Sequence, residues 1–185
     1  MTDPIYAIGD IHGQLAELQR VLALIEAEDG PAAHIVFLGD YTDRGPDTTL
    51  AAYGLDFSGR SRQLDVHEQA LTTVPQTHVD LLNTLEPYFE TDDLFFAHAG
   101  IRPGVPLDQQ DIEDLLWIRK DFHIVRYAHP KLIVHGHTPV DRAQHYGNRI
   151  NLDSGAGYGK PLTAAVFEGS QCWTLTAKGR FPLTP

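Results

Sequence analysis

The chain is predicted to fold as a single α/β domain spanning residues 1–185. Three observations predict it: short apolar runs that end in Gly, Asp or His, an amphipathic helix between the first two runs, and no linker, repeat or low-complexity stretch. Ile5-Tyr-Ala-Ile8 leads into Gly9-Asp10-Ile11-His12-Gly13, and Ile35-Val-Phe-Leu38 leads into Gly39-Asp40. Leu94-Phe-Phe-Ala97 precedes His98-Ala-Gly100, and Leu132-Ile-Val134 precedes His135-Gly136-His137-Thr138. Each run is about four residues long, β-branched or aromatic and bounded by turn formers, the pattern of a buried strand.

Between the first two runs, Leu15, Leu18, Leu22 and Ile25 share one helical stripe, with Glu17, Gln19 and Arg20 off it. The order is therefore strand, helix, strand. Further helices are expected near Val79–Leu85 and Ile112–Ile118. Three more strands are expected between Arg149 and Thr176, broken at Gly155-Ala-Gly157 and Gly169-Ser170. Open sheets bind ligands beyond the carboxyl ends of their strands, which is where the Asp and His residues cluster.

Composition removes several classes of function. A formal charge of -11 opposes sequence-independent binding to nucleic acid, and no apolar run approaches the length of a membrane span. The segment MTDPIYAIGD has neither a basic stretch nor a cleavable apolar one, so a secretory signal is not expected. The single Cys172 excludes an internal disulfide and reads as a small core residue. Together these features lead to the expectation of a cytoplasmic protein.

Carboxylate oxygens suit hard divalent cations, and imidazole suits manganese, iron or zinc. Asp10 and His12 are two residues apart, so on a continuing extended segment both would point to one side. Asp40 arrives from the second strand, and His98 and His137 from the later two. One aspartate shared between two ions about 3.5–4 Å apart would make these five side chains a two-metal hydrolytic site.

With these residues in view, the sequence resembles the bimetallic phosphoprotein phosphatases, particularly the bacterial members, which include Ser/Thr phosphatases and symmetrical diadenosine tetraphosphatases. The matching segments are Gly9-Asp10-Ile11-His12-Gly13, Gly39-Asp40-Tyr41-Thr42-Asp43-Arg44-Gly45, His98-Ala99-Gly100 and Gly136-His137-Thr138-Pro139. Leu115-Leu-Trp-Ile-Arg119 and Asn151-Leu-Asp-Ser-Gly155 extend the match nearly end to end. The resemblance implies a calcineurin-like metallophosphoesterase β-sandwich flanked by helices. It assigns Asp10 and His12 to a first cation, Asp40 to a bridge, and His98 and His137 to a second cation. It also makes Arg44 and Arg119 phosphate clamps, a task suited to the guanidinium fork. Asp43 matches an aspartate that orients a catalytic histidine. Tyr158 is placed at the edge of the site or, equally, on the core as a turn tyrosine, and His135 is not a ligand. The implied cofactors are two divalent ions, manganese first, with iron, zinc or nickel as alternatives. The implied substrate is a phosphoprotein or a phosphorylated small molecule such as a dinucleoside polyphosphate.

The family's third motif, Gly-Asn-His followed by an acidic residue, is not in the chain. His67 has no Asn beside it, and His78 falls within an expected helix. About one βα unit is therefore missing after residue 47, between Gly45 and Leu50. Two readings stay open. If the deletion is real, a ligand of the second cation and the group that protonates the leaving group are lost, leaving an impaired or binding-only homologue. If the sequence closes over an omitted stretch, the enzyme is whole; an unfilled slot in the sheet favours this second reading.

Overall fold

A computed structural model describes residues 3–42, 49–55 and 63–185, with the side chains of 50 and 63–66 excepted. Contacts divide the chain into two compact units, one formed by Met1–Tyr41 with Pro87–Pro185 and the other by Thr42–Glu86.

In the first unit β1 (Ile5–Ile8), α1 (Leu15–Asp29) and β2 (His34–Phe37) follow in the expected order, with β1 and β2 parallel from Ile5↔His34 to Ile8↔Phe37. After the second unit come β3 (Tyr88–Glu90), β4 (Leu94–Ala97), α5 (Ile112–Trp117), α6 (Lys120–His123) and β5 (Leu132–His135). The chain ends with β6 (Gln144–His145), β7 (Arg149–Asn151), β8 (Ala164–Glu168), β9 (Gln171–Thr176) and β10 (Gly179–Pro182). Two five-stranded mixed sheets result, ordered β10-β9-β8-β1-β2 and β3-β4-β5-β7-β6.

The sheets face each other as a sandwich. Ala7, Leu38, Ala165 and Phe167 from the first meet Leu94, Phe96, Val134 and Ile150 from the second in one buried cluster. Phe96 and Phe167 cross edge to face at 5.5 Å, the favoured arrangement for two ring quadrupoles. Cys172 lies in the same cluster, and burial pushes its thiol up to about 12. On the outer face of the first sheet α1 packs with Val21 and Ile25 buried and Leu18 and Leu22 half-buried. Leu15, expected on that stripe, is 63% exposed. It opens the helix, one turn before the packed face begins.

The second unit holds α2 (Thr49–Ala52), α3 (Gln63–Thr73) and α4 (Gln76–Asn83). His78 sits in α4 and shares a 2.7 Å hydrogen bond with the Tyr53 hydroxyl. Among the described residues, no helix is long and apolar enough to cross a membrane.

Candidate metal centre

The tips of β1, β2, β4 and β5 bring five side chains together. Asp10, His12 and Asp40 place one ligand atom each within 4.8 Å of one another, and Asp40, His98 and His137 do the same. Asp40 belongs to both groups, its Oδ2 lying 3.5 Å from His12 Nε2 and its Oδ1 3.7 Å from His98 Nε2. Two like-charged carboxylates so close in a largely buried site repel each other unless a cation lies between them. The donor set, two carboxylates and three imidazoles, therefore fits two divalent ions.

The backbone carries the same signal. Among the described residues, the non-glycine residues with positive φ are His12 (49°), Asp40 (41°) and His137 (64°). Such conformations cost about 1–3 kcal/mol each and concentrate where surrounding structure holds a functional geometry in place. They also correct one expectation: Asp10 and His12 converge through a left-handed turn at His12, not along a continuing extended segment.

Hydrogen bonds fix the ligands further. The Asp40 carbonyl accepts from the backbone amides of Ile11 and His12, tying the first two strand tips together. Asp10 Oδ2 accepts from the His137 amide at 2.8 Å. His98 Nδ1 lies 3.0 Å from the Leu38 carbonyl, an arrangement that puts its proton on Nδ1 and turns the Nε2 lone pair inward. Burial lowers the His98 pKa against an opposing pull from Asp40, favouring the neutral imidazole that a cation needs. Two glycines permit this packing: a Cβ on Gly136 would stand 1.8 Å from Asp10 Oδ1, and one on Gly157 would stand 2.6 Å from His12 Cδ2.

Arg119 adjoins the second group, its Nε donating to His137 Nε2 at 3.1 Å while the side chain stays exposed. Trp117 sets its ring edgewise to His137 at 5.7 Å. Tyr158 is exposed on the turn that carries Gly157. His135 is fully buried, with Nδ1 3.0 Å from the Gly136 carbonyl and Nε2 3.0 Å from an Arg149 nitrogen. Asp43 and Arg44 lie outside the described residues.

Sequence reasoning gave no role to three other residues. Asp153 is buried, accepts from the Gly155 amide and adds negative charge near His98. Asn151 donates to the Thr138 carbonyl at 2.7 Å and so pins the loop after His137. Arg149 is buried behind His135, with its guanidinium 3.7 Å from the centre of the Tyr146 ring. The first two stand in the segment Asn151–Gly155 that the resemblance had already singled out; nothing local marks Arg149.

The pattern of the calcineurin-like phosphoesterases matches residues 3–159. An asymmetrical bis(5'-nucleosyl)-tetraphosphatase, PrpE, of Oceanobacillus iheyensis is 25% identical over 94% of this chain and 92% of its own length. The PrpE of Geobacillus thermodenitrificans is 26% identical over 96% of this chain and 95% of its own. The Oceanobacillus alignment runs over 232 positions, more than the 185 residues here, so that relative carries stretches without a counterpart in this chain. Among solved structures, one with a provisional diadenosine tetraphosphatase assignment matches with a TM-score of 0.71 at 22% identity, covering all of this chain and 95% of that one. A cold-active protein-tyrosine phosphatase from a Shewanella species matches with a TM-score of 0.64 at 16% identity, covering all of this chain and 81% of that one. These structural likenesses establish the fold. With the matched region holding all five candidate ligands and Arg119, the chain belongs to the calcineurin-like phosphoesterase family and is a metal-dependent phosphoester hydrolase.

Proposed function

We propose that this chain hydrolyses dinucleoside tetraphosphates asymmetrically, at two divalent cations held by Asp10, His12, Asp40, His98 and His137. The observation that carries the reading is the sharing of Asp40 between two ligand groups with Arg119 alongside. Manganese is the proposed ion, with iron, zinc or nickel able to use the same donors. When bound, the pair of cations lowers the pKa of a water towards neutrality and polarises phosphate oxygens.

The protein's own contribution is position and charge. Asp40 spans the two groups, and the left-handed backbones at His12, Asp40 and His137 hold their side chains before substrate arrives. Arg119, which adjoins His137, offers its guanidinium to phosphate oxygens and to the charge that grows on them in the transition state. Arg44 would provide a second clamp, as the resemblance implies, and Asp43 would orient the catalytic histidine where the Gly-Asn-His segment is present. Tyr158 is proposed to meet the organic part of the substrate.

The kind of bond favours a phosphoanhydride. A departing nucleotide is a stable anion near neutral pH, the second phosphate ionisation lying at about 6, so its loss needs no protonation by the Gly-Asn-His motif that this sequence lacks. The names of the curated relatives support the same class. Phosphoprotein hydrolysis is the second reading, because the paired segments Gly9–Gly13 and Gly39–Gly45 are common to both activities.

The test incubates the manganese-loaded chain with diadenosine tetraphosphate and separates the nucleotides. ATP and AMP in equal amounts are expected. Two ADP would replace asymmetrical by symmetrical cleavage, and turnover of a phosphoserine peptide without turnover of the tetraphosphate would overturn the reading.

A further inference from the structure

Beside the metal centre lies a cavity of about 660 Å³ lined by residues 139–142 on one side and by Gly155, Tyr158 and Lys160 on the other. One wall continues the segment that carries His137, and the other is the turn that packs on His12. The first wall starts two residues after His137 and is pinned by the Val140 amide, which donates to the Asp153 carbonyl at 2.9 Å. The second is the tight turn whose Gly157 abuts His12, closed by the Tyr158 and Lys160 amides on the Gly155 carbonyl. The cavity therefore adjoins one donor of each group, His137 through the first wall and His12 through the second.

The cavity carries two cationic side chains to one carboxylate in an acidic molecule. In a chain of charge -11, Arg142 and Lys160 both line this one cavity, and Tyr158 presents a 60% exposed ring at its edge. Lys160 holds Asp141 Oδ1 at 2.7 Å, but the Asp141 side chain is fully in solvent, so the pair is weak and open to exchange with a better anion. A volume near 660 Å³ falls in the range of small-molecule sites, about 300–1,000 Å³, and suits a nucleotide.

We infer that this cavity is a distal subsite for the nucleotide half of the substrate that does not sit on the cations. Arg142 and Lys160 bind the phosphates that run on from the scissile bond, and the nucleobase stacks on Tyr158. The inference rests on the phosphoanhydride reading above and adds to it the residues that distinguish a long polyphosphate from a small phosphoester. Asp141 occupies Lys160 until substrate displaces it.

Two measurements separate this inference from that reading. First, the ratio of kcat/KM for diadenosine tetraphosphate to kcat/KM for para-nitrophenyl phosphate falls about tenfold in the Arg142→Ala/Lys160→Ala double variant, mainly through KM for the tetraphosphate. Second, calorimetry with a methylene-bridged, non-hydrolysable diadenosine tetraphosphate on the manganese-loaded chain shows binding weakened about tenfold in the double variant, weakened in Tyr158→Ala and strengthened in Asp141→Asn. Arg142 and Lys160 are both exposed, and unchanged thermal melting confirms that the variants fold. An unchanged ratio and unchanged analogue affinity in a folded double variant would overturn the subsite. If the unaltered protein binds the analogue through Arg142 and Lys160 but turns over neither substrate, the subsite stands and the proposed activity falls.

Discussion

The two units of the chain differ sharply in what they keep from water. The sheet unit buries both faces of its strands, from Tyr6 and Ile8 on one side to Phe96 and Val134 on the other, and holds all five candidate ligands. In residues 42–86, Leu55 is the one apolar residue buried among the described side chains, while Leu71 and Leu81 are 71% and 62% exposed. The described chemistry is thus concentrated in the sheet unit, and the described side chains of the other bury little apolar surface.

This contrast can be broken from the sheet side first. Asp40→Asn removes charge from both ligand groups, and manganese-dependent hydrolysis is expected to fall by at least about 10³-fold, several kcal/mol of transition-state stabilisation. Retained hydrolysis would break the shared-ligand assignment. Phe167→Ala opens a void between the sheets and should cost about 3–5 kcal/mol of stability, read from urea denaturation. Gly136→Ala drives a methyl into Asp10 and should lower activity about 10²-fold with little change in melting temperature, since a ligand moves while the core stays filled.

The pH dependence is a smaller effect. Burial, helped by Arg149 and Arg119, pushes His123 down to about 4, and burial lowers His135 well below its usual value. Unfolded, both titrate near 6.5. Between 6.5 and the folded value the unfolded chain binds more protons, so stability is intact above about 6.5 and is lost as pH falls towards 4. In EDTA, melting temperature should be flat from pH 8 to 7, drop from 6.5 to 5, and drop less in His123→Asn.

From the other unit the expected effects are smallest. Leu81→Ala should alter stability by less than about 0.5 kcal/mol, and His67→Asn and His78→Asn should leave tetraphosphate hydrolysis within about twofold. A large loss in either histidine variant would show that α3 or α4 takes part in the chemistry. Arg44→Ala sharpens the same point: the resemblance assigns it phosphate binding, which predicts a raised KM.

The site was legible in the sequence because its ligands stand at the ends of apolar runs, where a change of residue type marks both the strand and its tip. The four principal strands, α1, α4 and α5 were readable for the same reason. The edge strands β3, β6 and β10 were not, since two to four residues of mixed polarity carry almost no periodic signal. Backbone handedness was also hidden: nothing in the side chains of His12, Asp40 or His137 announces a positive φ that only the assembled tips impose. Arg149 reads as a surface residue, yet it is buried because a flat guanidinium can lie on Tyr146 and bond His135. Gly136 and Gly157 look like ordinary loop glycines until Asp10 and His12 are seen against them. All of these depend on contacts between residues far apart in the chain.

The most direct test of the shared Asp40 is metal stoichiometry, measured by manganese titration of the purified chain and of Asp40→Asn, with elemental analysis after gel filtration. The account predicts about two manganese ions per unaltered chain and fewer than one in the variant, because both ligand groups lose the same carboxylate. A variant that still holds two ions, or an unaltered chain that saturates at one, would contradict it.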